Sequence, residues 1–356
     1  MKQLSQIYFV MLLITTLSGC TTLGYYSQAV SGHLSLMMST QPVSELINAP
    51  STPPALKQKL LVANDARRFA AHRLALPVGD AFAEYAELGR PWVVVNLVAA
   101  PEFSLQAHRW CYPVVGCQAY RGYYELENAR NEQQSFIEAG YDTFIGGVTA
   151  YSTLGWFDDP LHTGFTSLSA NRMVALMFHE LAHQAVYISD DTAFNESFAT
   201  AVELEGLRLW LEAKKDDSGF HRALARLHQR NQTLALVDDA SRQLEALYKQ
   251  QDTLPRAKLR HQKAQLFQAL QDEYQTLSAT WEQPGPFGEN PTGLNNANLA
   301  LFSQYNQHVP AFRQLLRDHT GDFRAFYNTV DALAGQSPEI RQRRLLQLGQ
   351  RFHEDL

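Results

Sequence analysis

The chain has 356 residues, 45% hydrophobic and 19% charged. That is enough for one large domain or two ordinary ones, and it excludes wholesale disorder. The formal charge of −6 at pH 7 comes without a basic block, which excludes a nucleic-acid partner of the usual electrostatic kind.

Residues 1–19 read as a targeting segment. Lys2 supplies a short basic start, and "IYFVMLLITTL" (7–17) is an apolar run too short to span a bilayer comfortably. The run ends in "LSGC", small residues directly before Cys20, and this resembles the lipobox of bacterial lipoproteins. The resemblance implies cleavage before Cys20, lipid on that cysteine, and a chain anchored in the cell envelope facing the periplasm. Thr21 stands where an aspartate is associated with inner-membrane retention, so the outer membrane is the expected one. Removing 1–19 deletes only Lys2 among the charged residues, and the formal charge becomes −6 − 1 = −7.

Residues 20–55 read as a lipid-anchored tether with one amphipathic helix over 25–47, lying on the core or near the membrane. The helix pattern is interrupted by Gly32 and Pro42, and "NAPSTPP" (48–54) ends it. The main domain is expected over 56–356. It begins with a helix over 55–76 that stops at Pro77 and Gly79. Strand-like material concentrates in 91–155: "PWVVVNLVAA", then "HRWCYPVVGC" and "QAYRGYY", separated by turn residues. Residues 125–140 return to helix spacing, and "YDTFIGGVTAYSTLGWFDDP" (141–160) reads as two short strands joined at Gly146-Gly147. Cys111 and Cys117 flank Pro113 and Gly116, which favour a tight turn. In an oxidising compartment a small-loop disulfide between them is expected, with two buried thiols as the alternative.

"LSANRMVALMFHELAHQAVYI" (168–188) is apolar on nearly every side and should be a central, buried helix. A second helix is expected from about Thr192 to Lys214. Residues 215–285 turn to Leu, Gln, Arg, Lys and Glu and read as a long helical insertion broken near Pro255, a solvated hairpin or a dock for a protein partner. Residues 281–296 read as loop and 297–349 as helix. The fold class is therefore α+β and predominantly α-helical, with a small mixed sheet before the central helix and a helical C-terminal half.

Chemistry concentrates in that central helix. His179, Glu180 and His183 form H-E-x-x-H, and residues four apart share one helix face, so both imidazoles can reach one ion with Glu180 beside it. Neutral imidazole suits Zn²⁺, and a catalytic site takes three protein ligands and keeps a position for water. Burying two histidines and a glutamate with no metal is costly, because an unpaired buried carboxylate costs several kcal/mol or protonates. Glu180 is placed to take a proton from a metal-acidified water and return it to the leaving amine.

The third ligand has five candidates: Asp190, Asp191, Glu196, Glu203 and Glu205. If 189–191 turn the chain between antiparallel helices, Glu196 lies roughly 4–5 Å from the level of the two histidines and Glu203 roughly 6 Å, so helix rise alone hardly separates them.

"HELAHQ" followed by "NESFA" is similar to the pattern of thermolysin-like and alanyl-aminopeptidase-like zinc peptidases. The wider run 176–203, with "GGVTAYSTLGWFDDP", "WCYPVVGCQAYRGYY" and the lipobox, resembles a bacterial lipoprotein family of aminopeptidases. The resemblance implies a zincin-like fold and one Zn²⁺ per chain, with His179, His183 and Glu196 as ligands and Glu180 as general base. Two features depart from it. The 12-residue gap between His183 and Glu196 is shorter than in the better-known enzymes, and Thr200 stands where thermolysin-like chains carry an aspartate that orients a histidine. Glu203 is the expected substitute in that orienting role.

A zinc peptidase of this kind lays its peptide along an edge strand before the metal helix, here 146–154. It also needs a donor for the developing oxyanion. Tyr151 is favoured over Tyr123, Tyr124 and His162. Arg121 is a candidate for a substrate carboxylate or a structural ion pair, and Asp158, Asp159, Glu125 and Glu127 are candidates for a substrate amine. The expected activity is an aminopeptidase. An envelope endopeptidase and a zinc-containing binding or assembly lipoprotein are the alternatives, the last opposed by the intact Glu180.

Overall fold

A computed structural model describes residues 24–112, 116–150, 158–289, 291–302 and 308–353. Cys20 and the signal segment lie outside the described residues, as do Tyr151 and the rest of 151–157. No helix among the described residues is long and apolar enough to cross a membrane.

The first elements are α1 (24–38), a two-residue strand β1 (Gln41–Pro42) and α2 (Val43–Asn48). The single helix expected over 25–47 is thus divided. Pro42 has no N–H to continue a helix, and at φ −57°, ψ 126° it instead caps α2. β1 pairs antiparallel with β2 (Glu84–Ala86), and Val43 enters the main core, so much of the expected tether is folded onto the body. α3 (Pro54–Arg73) opens on proline, whose fixed φ suits a first helical turn, and buries Leu60, Ala63, Ala66 and Ala70.

The central strand is β3 (Val94–Pro101). β6 (Arg121–Tyr123) and β7 (Tyr141–Val148) flank it antiparallel, with Asn96 opposite both Gly122 and Gly146. β7 runs unbroken through Gly146-Gly147, where two strands were expected. Gly146 has the Phe144 ring where a Cβ would go, and Gly147 has Trp92 there, so the glycines let aromatic rings cover a continuous strand. Alternation sends Val95, Leu97 and Ala99 into a small core with Trp110 and Ala129 of α4 (Leu126–Glu138), and turns Val94 and Asn96 the other way. β4 (Trp110–Tyr112) and β5 (Gly116–Gln118) form a separate hairpin, crosslinked by a disulfide between the facing Cys111 and Cys117. β8 (Leu161–His162) pairs parallel to β2 and leads through α5 (Thr163–Thr166) into α6 (Ala170–Ala185).

α6 and α7 (Thr192–Lys214) are the centre of the main core, which also takes residues from α3, α11 (Val309–Asp318), α12 (Phe323–Ala334) and α13 (Pro338–Arg351). Lys215 takes the left-handed conformation at the end of α7, and Asp216 caps the following helix by accepting from the Gly219 N–H. α8 (Asp217–Tyr248) and α9 (Arg256–Ser278) then form the hairpin expected from the 215–285 composition, turning before Pro255. Its root has its own core, with Leu244, Tyr248 and Phe267 packing against Phe103 and Leu105 beyond β3. Glu102 accepts from Arg256 and Arg260, and Lys263 pairs with Asp142 at 2.6 Å, so charge fixes the hairpin to the sheet's end. α10 (Asn296–Phe302) completes that corner: buried Asn296 donates to the carbonyls of Pro101 and Glu102 and accepts from the Tyr248 hydroxyl. The observed class is α+β, mainly helical, with small sheets ahead of the central helix.

Candidate metal centre

His179 and His183 occupy consecutive turns of α6 with ring centroids 4.9 Å apart. The helix is held from all sides. Met173, Met177, Phe178, Leu181 and Ala182 are fully buried, and this fixes the rotation that turns 179, 180 and 183 toward one cleft. α7 returns antiparallel and brings Glu196 to both rings: Oε2 lies 3.3 Å from His179 Nε2 and Oε1 lies 3.7 Å from His183 Nε2. One ligand atom from each of the three side chains falls within 4.8 Å of the others.

The height of Glu196 is set by its neighbour. Asn195 is buried, donates its amide to the Ile188 carbonyl at 2.7 Å and accepts from the Ile188 N–H at 3.0 Å. The Asn-Glu pair therefore divides its work, the asparagine closing the α6–α7 loop and the glutamate facing the histidines. Asp191 caps α7 by accepting from the Phe194 N–H, and Asp190, at φ 63°, makes the turn. Asn195→Ala is expected to lower metal affinity by about 10–100-fold, the usual cost of losing an outer-shell support, measured by competition with a chromogenic chelator.

Glu203, one turn pair further along α7, meets His179 Nδ1 at 3.1 Å. This is the orienting contact that Thr200 does not provide. A carboxylate on Nδ1 keeps a proton there, so Nε2, beside Glu196, is the nitrogen that would ligate a metal ion.

The electrostatics fit a cation. Burial pushes the His179 imidazole down, but its hydrogen bonds to Glu196 and Glu203 outweigh that and hold its pKa well above the ordinary value. Positive charge is favoured between those two carboxylates. Burial keeps His183 neutral, with a pKa lowered to about 4, and its Nδ1 has no hydrogen-bond partner among the described residues. Burial pushes Glu196 up, but His179 and His183 prevail and keep it ionised. Two imidazoles and a carboxylate converging on one point from a buried wall are a donor set that suits Zn²⁺. Glu180, between the histidines, is lifted by burial to about 7, with Glu196, Asp159 and Glu203 adding and His179 opposing. A carboxyl group so placed exchanges a proton near neutral pH.

These residues form the floor of a cleft of about 460 Å³. Its other wall comes from α1 (Tyr25, Ala29), β3 (Val94, Asn96) and the β5–β6 turn (Gln118, Tyr120). Tyr120 and Tyr187 are functional candidates that no motif distinguishes among the 15 tyrosines. Burial, with the charges of Glu196 and Glu180 nearby, raises the pKa of Tyr120, so its hydroxyl stays a donor at neutral pH. Of the other expected donors, Tyr124 lines the cleft, whereas Tyr123 and His162 lie elsewhere. Tyr123 gives its hydroxyl to Glu132, and His162 is buried, accepting from the Gly164 N–H to cap α5. Arg121 pairs with Glu132 at 3.2 Å and stacks over Tyr25, a structural role. Of the expected amine-holding acids, Asp158, Asp159, Glu125 and Glu127, none lines the described cleft.

The family described as "Putative aminopeptidase" matches residues 24–345. The chain belongs to that family. The match runs from α1 into α13, so every element around the aminopeptidase-family cleft falls inside it, the α8–α9 hairpin included. No curated protein and no solved structure matches the chain.

Proposed function

We propose that the protein is a zinc-dependent peptidase, acting as an aminopeptidase and held in the cell envelope by lipid at Cys20. The observation that carries the peptidase reading is the meeting of His179, His183 and Glu196 on one side of a cleft with Glu180 between them. Membership of the aminopeptidase family supports hydrolysis of peptide bonds.

His179, His183 and Glu196 would hold the Zn²⁺, which when bound would supply Lewis acidity for a substrate carbonyl and a nearby water. Glu180 takes the proton from the attacking water and delivers it to the departing amine. Glu203 holds the His179 ring in position through Nδ1. Tyr120 donates to the oxyanion as it forms, in a wall whose tyrosines exclude water and receive apolar side chains. Glu180 and Glu196 are the only carboxylates lining the described cleft, which favours internal cleavage as the second reading.

A mixed peptide library, incubated with the metal-loaded and the chelator-treated protein and read by mass spectrometry, decides between them. Stepwise loss of single N-terminal residues, abolished by chelation and restored by Zn²⁺, is the expected result. Internal cuts select the endopeptidase, and no cleavage by the loaded protein removes both.

A further inference from the structure

α1 has two faces, and among the described residues only one is packed against. Inward, Leu36 is buried, and Gln28 binds the backbone of β6, donating to the Gly122 carbonyl and accepting from the Tyr124 N–H at 3.1 Å. Gly32 lies so close to the Tyr124 ring that no Cβ fits between them. Tyr25 and Ala29 wall the cleft from the same side.

Outward, Tyr26, Val30, Leu34 and Met38 are 38%, 58%, 53% and 81% exposed. A spacing of four places them in one row along the helix, about 18 Å long. Ser27, Ser31, Ser35 and Ser39 form a parallel exposed row beside them. Other exposed large apolar side chains, such as Leu61 and Ile137, stand singly. Between Lys2 and Glu45 the sequence contains no Asp, Glu, Lys or Arg, so the outward face of α1 carries no fixed charge.

We infer that this row is a membrane-contact surface, inserted into the interfacial region of a lipid bilayer so that the cleft wall lies against the membrane. The inference rests on the envelope anchoring proposed at Cys20. Cys20 is four residues before α1, a reach of at most about 14 Å, so an acylated chain delivers the helix to the lipid surface. A single acyl chain anchors only marginally, and an apolar helix face beside it supplies the second contact. Lipid fits this face better than a second copy of the chain. Four side chains fall short of the roughly 800 Å² per partner that a stable dimer buries, and a row of apolar and hydroxyl groups has nothing to pair with charge. Since the opposite face of α1 borders the cleft, seating the helix presents the cleft to peptide segments at the membrane surface.

The test uses the full chain, processed in cells and reconstituted in phosphatidylethanolamine–phosphatidylglycerol vesicles. With Cys20 acylated and Cys111–Cys117 paired, Leu34→Cys introduces the only free thiol, which takes an environment-sensitive fluorophore. Val30→Cys and Met38→Cys report on the same row, and Ile340→Cys on exposed α13 is the control. Spin-labelled lipid is expected to remove most of the emission at 30, 34 and 38 and little at 340. Mass spectrometry of the N-terminal peptide reads acylation separately, and Cys20→Ser removes any label at residue 20. Quenching at 34 without acylation sustains the helix contact and removes the anchor. Emission at 34 that lipid leaves unchanged overturns the inference, as does shielding that depends on protein concentration and yields crosslinks between chains.

Discussion

Glu180→Gln is expected to leave a folded, metal-binding protein that hydrolyses peptides about 10²–10⁴-fold more slowly. Glutamine keeps the shape of the side chain at a buried position, so the packing around His179 and His183 is retained. What is lost is a carboxyl group that burial lifts to about 7 and that can therefore accept and return a proton. Metal content and melting temperature, measured beside turnover, separate this loss from collapse of the site. Turnover close to wild type with full metal content would remove Glu180 from the reaction. Tyr120→Phe is the companion variant. A donor needed only as the oxyanion forms should lower kcat by about 10²-fold and leave KM nearly unchanged. An unchanged kcat transfers the role to another cleft hydroxyl, with Tyr187 next in line.

The largest effect on stability is expected from Glu205→Ala, at about 3–5 kcal/mol. Arg313 on α11 is 3% exposed and donates to Glu205 at 2.9 Å, and Arg208 donates to the other carboxylate oxygen at 2.9 Å. Removing the carboxylate takes from a buried guanidinium the oxygen it donates to at 2.9 Å, although replacing the whole pair by apolar groups would cost much less. Burial pushes the Glu205 carboxyl up, but Arg313 and Arg208 outweigh it and hold it below its usual value. The depressed group binds fewer protons in the folded than in the unfolded chain. Its stabilisation is therefore complete above the ordinary glutamate range and is lost as pH falls through the folded value. Urea unfolding of wild type and Glu205→Gln at pH 7 and at pH 4 checks this. The difference between them should shrink at the lower pH, and a constant difference would contradict it.

The central helix and its partner were legible because their signals are local. The residues of α6 are apolar on nearly every side over a run too long for an ordinary strand, and α7 spans Thr192–Lys214 as the pattern indicates. Glu196 was another matter. Helix rise alone left it level with Glu203, and the Asn-Glu pattern separated them. The structure supplies a physical basis for the pattern in the two hydrogen bonds from Asn195 to Ile188. Tyr187, just past α6 and beside the His183 ring, stood in the ligand-bearing stretch without a motif to mark it, and Tyr120 was not legible, because the cleft's far wall is assembled from segments distant in sequence. α1, β3 and the β5–β6 turn meet there only through tertiary packing, which no single stretch encodes. The division of residues 25–48 was foreshadowed by Pro42, but its pairing with Glu84 depends on a strand some forty residues on. Glycine was misleading at 146–147, where it admits aromatic rings and does not break the strand.

The two walls of the cleft are built to different standards. His179, Glu180, His183 and Glu196 project from helices embedded in the largest core, where a change of one methylene is felt throughout. Opposite them stand one short helix, a disulfide-tied hairpin and the turn after it, each resting on small clusters of its own. Cleft-facing residues of that wall, such as Ala29 and Val94, belong to elements separate from the core that holds the ligands. Descendants of such a chain could therefore exchange what they cut while inheriting how they cut it.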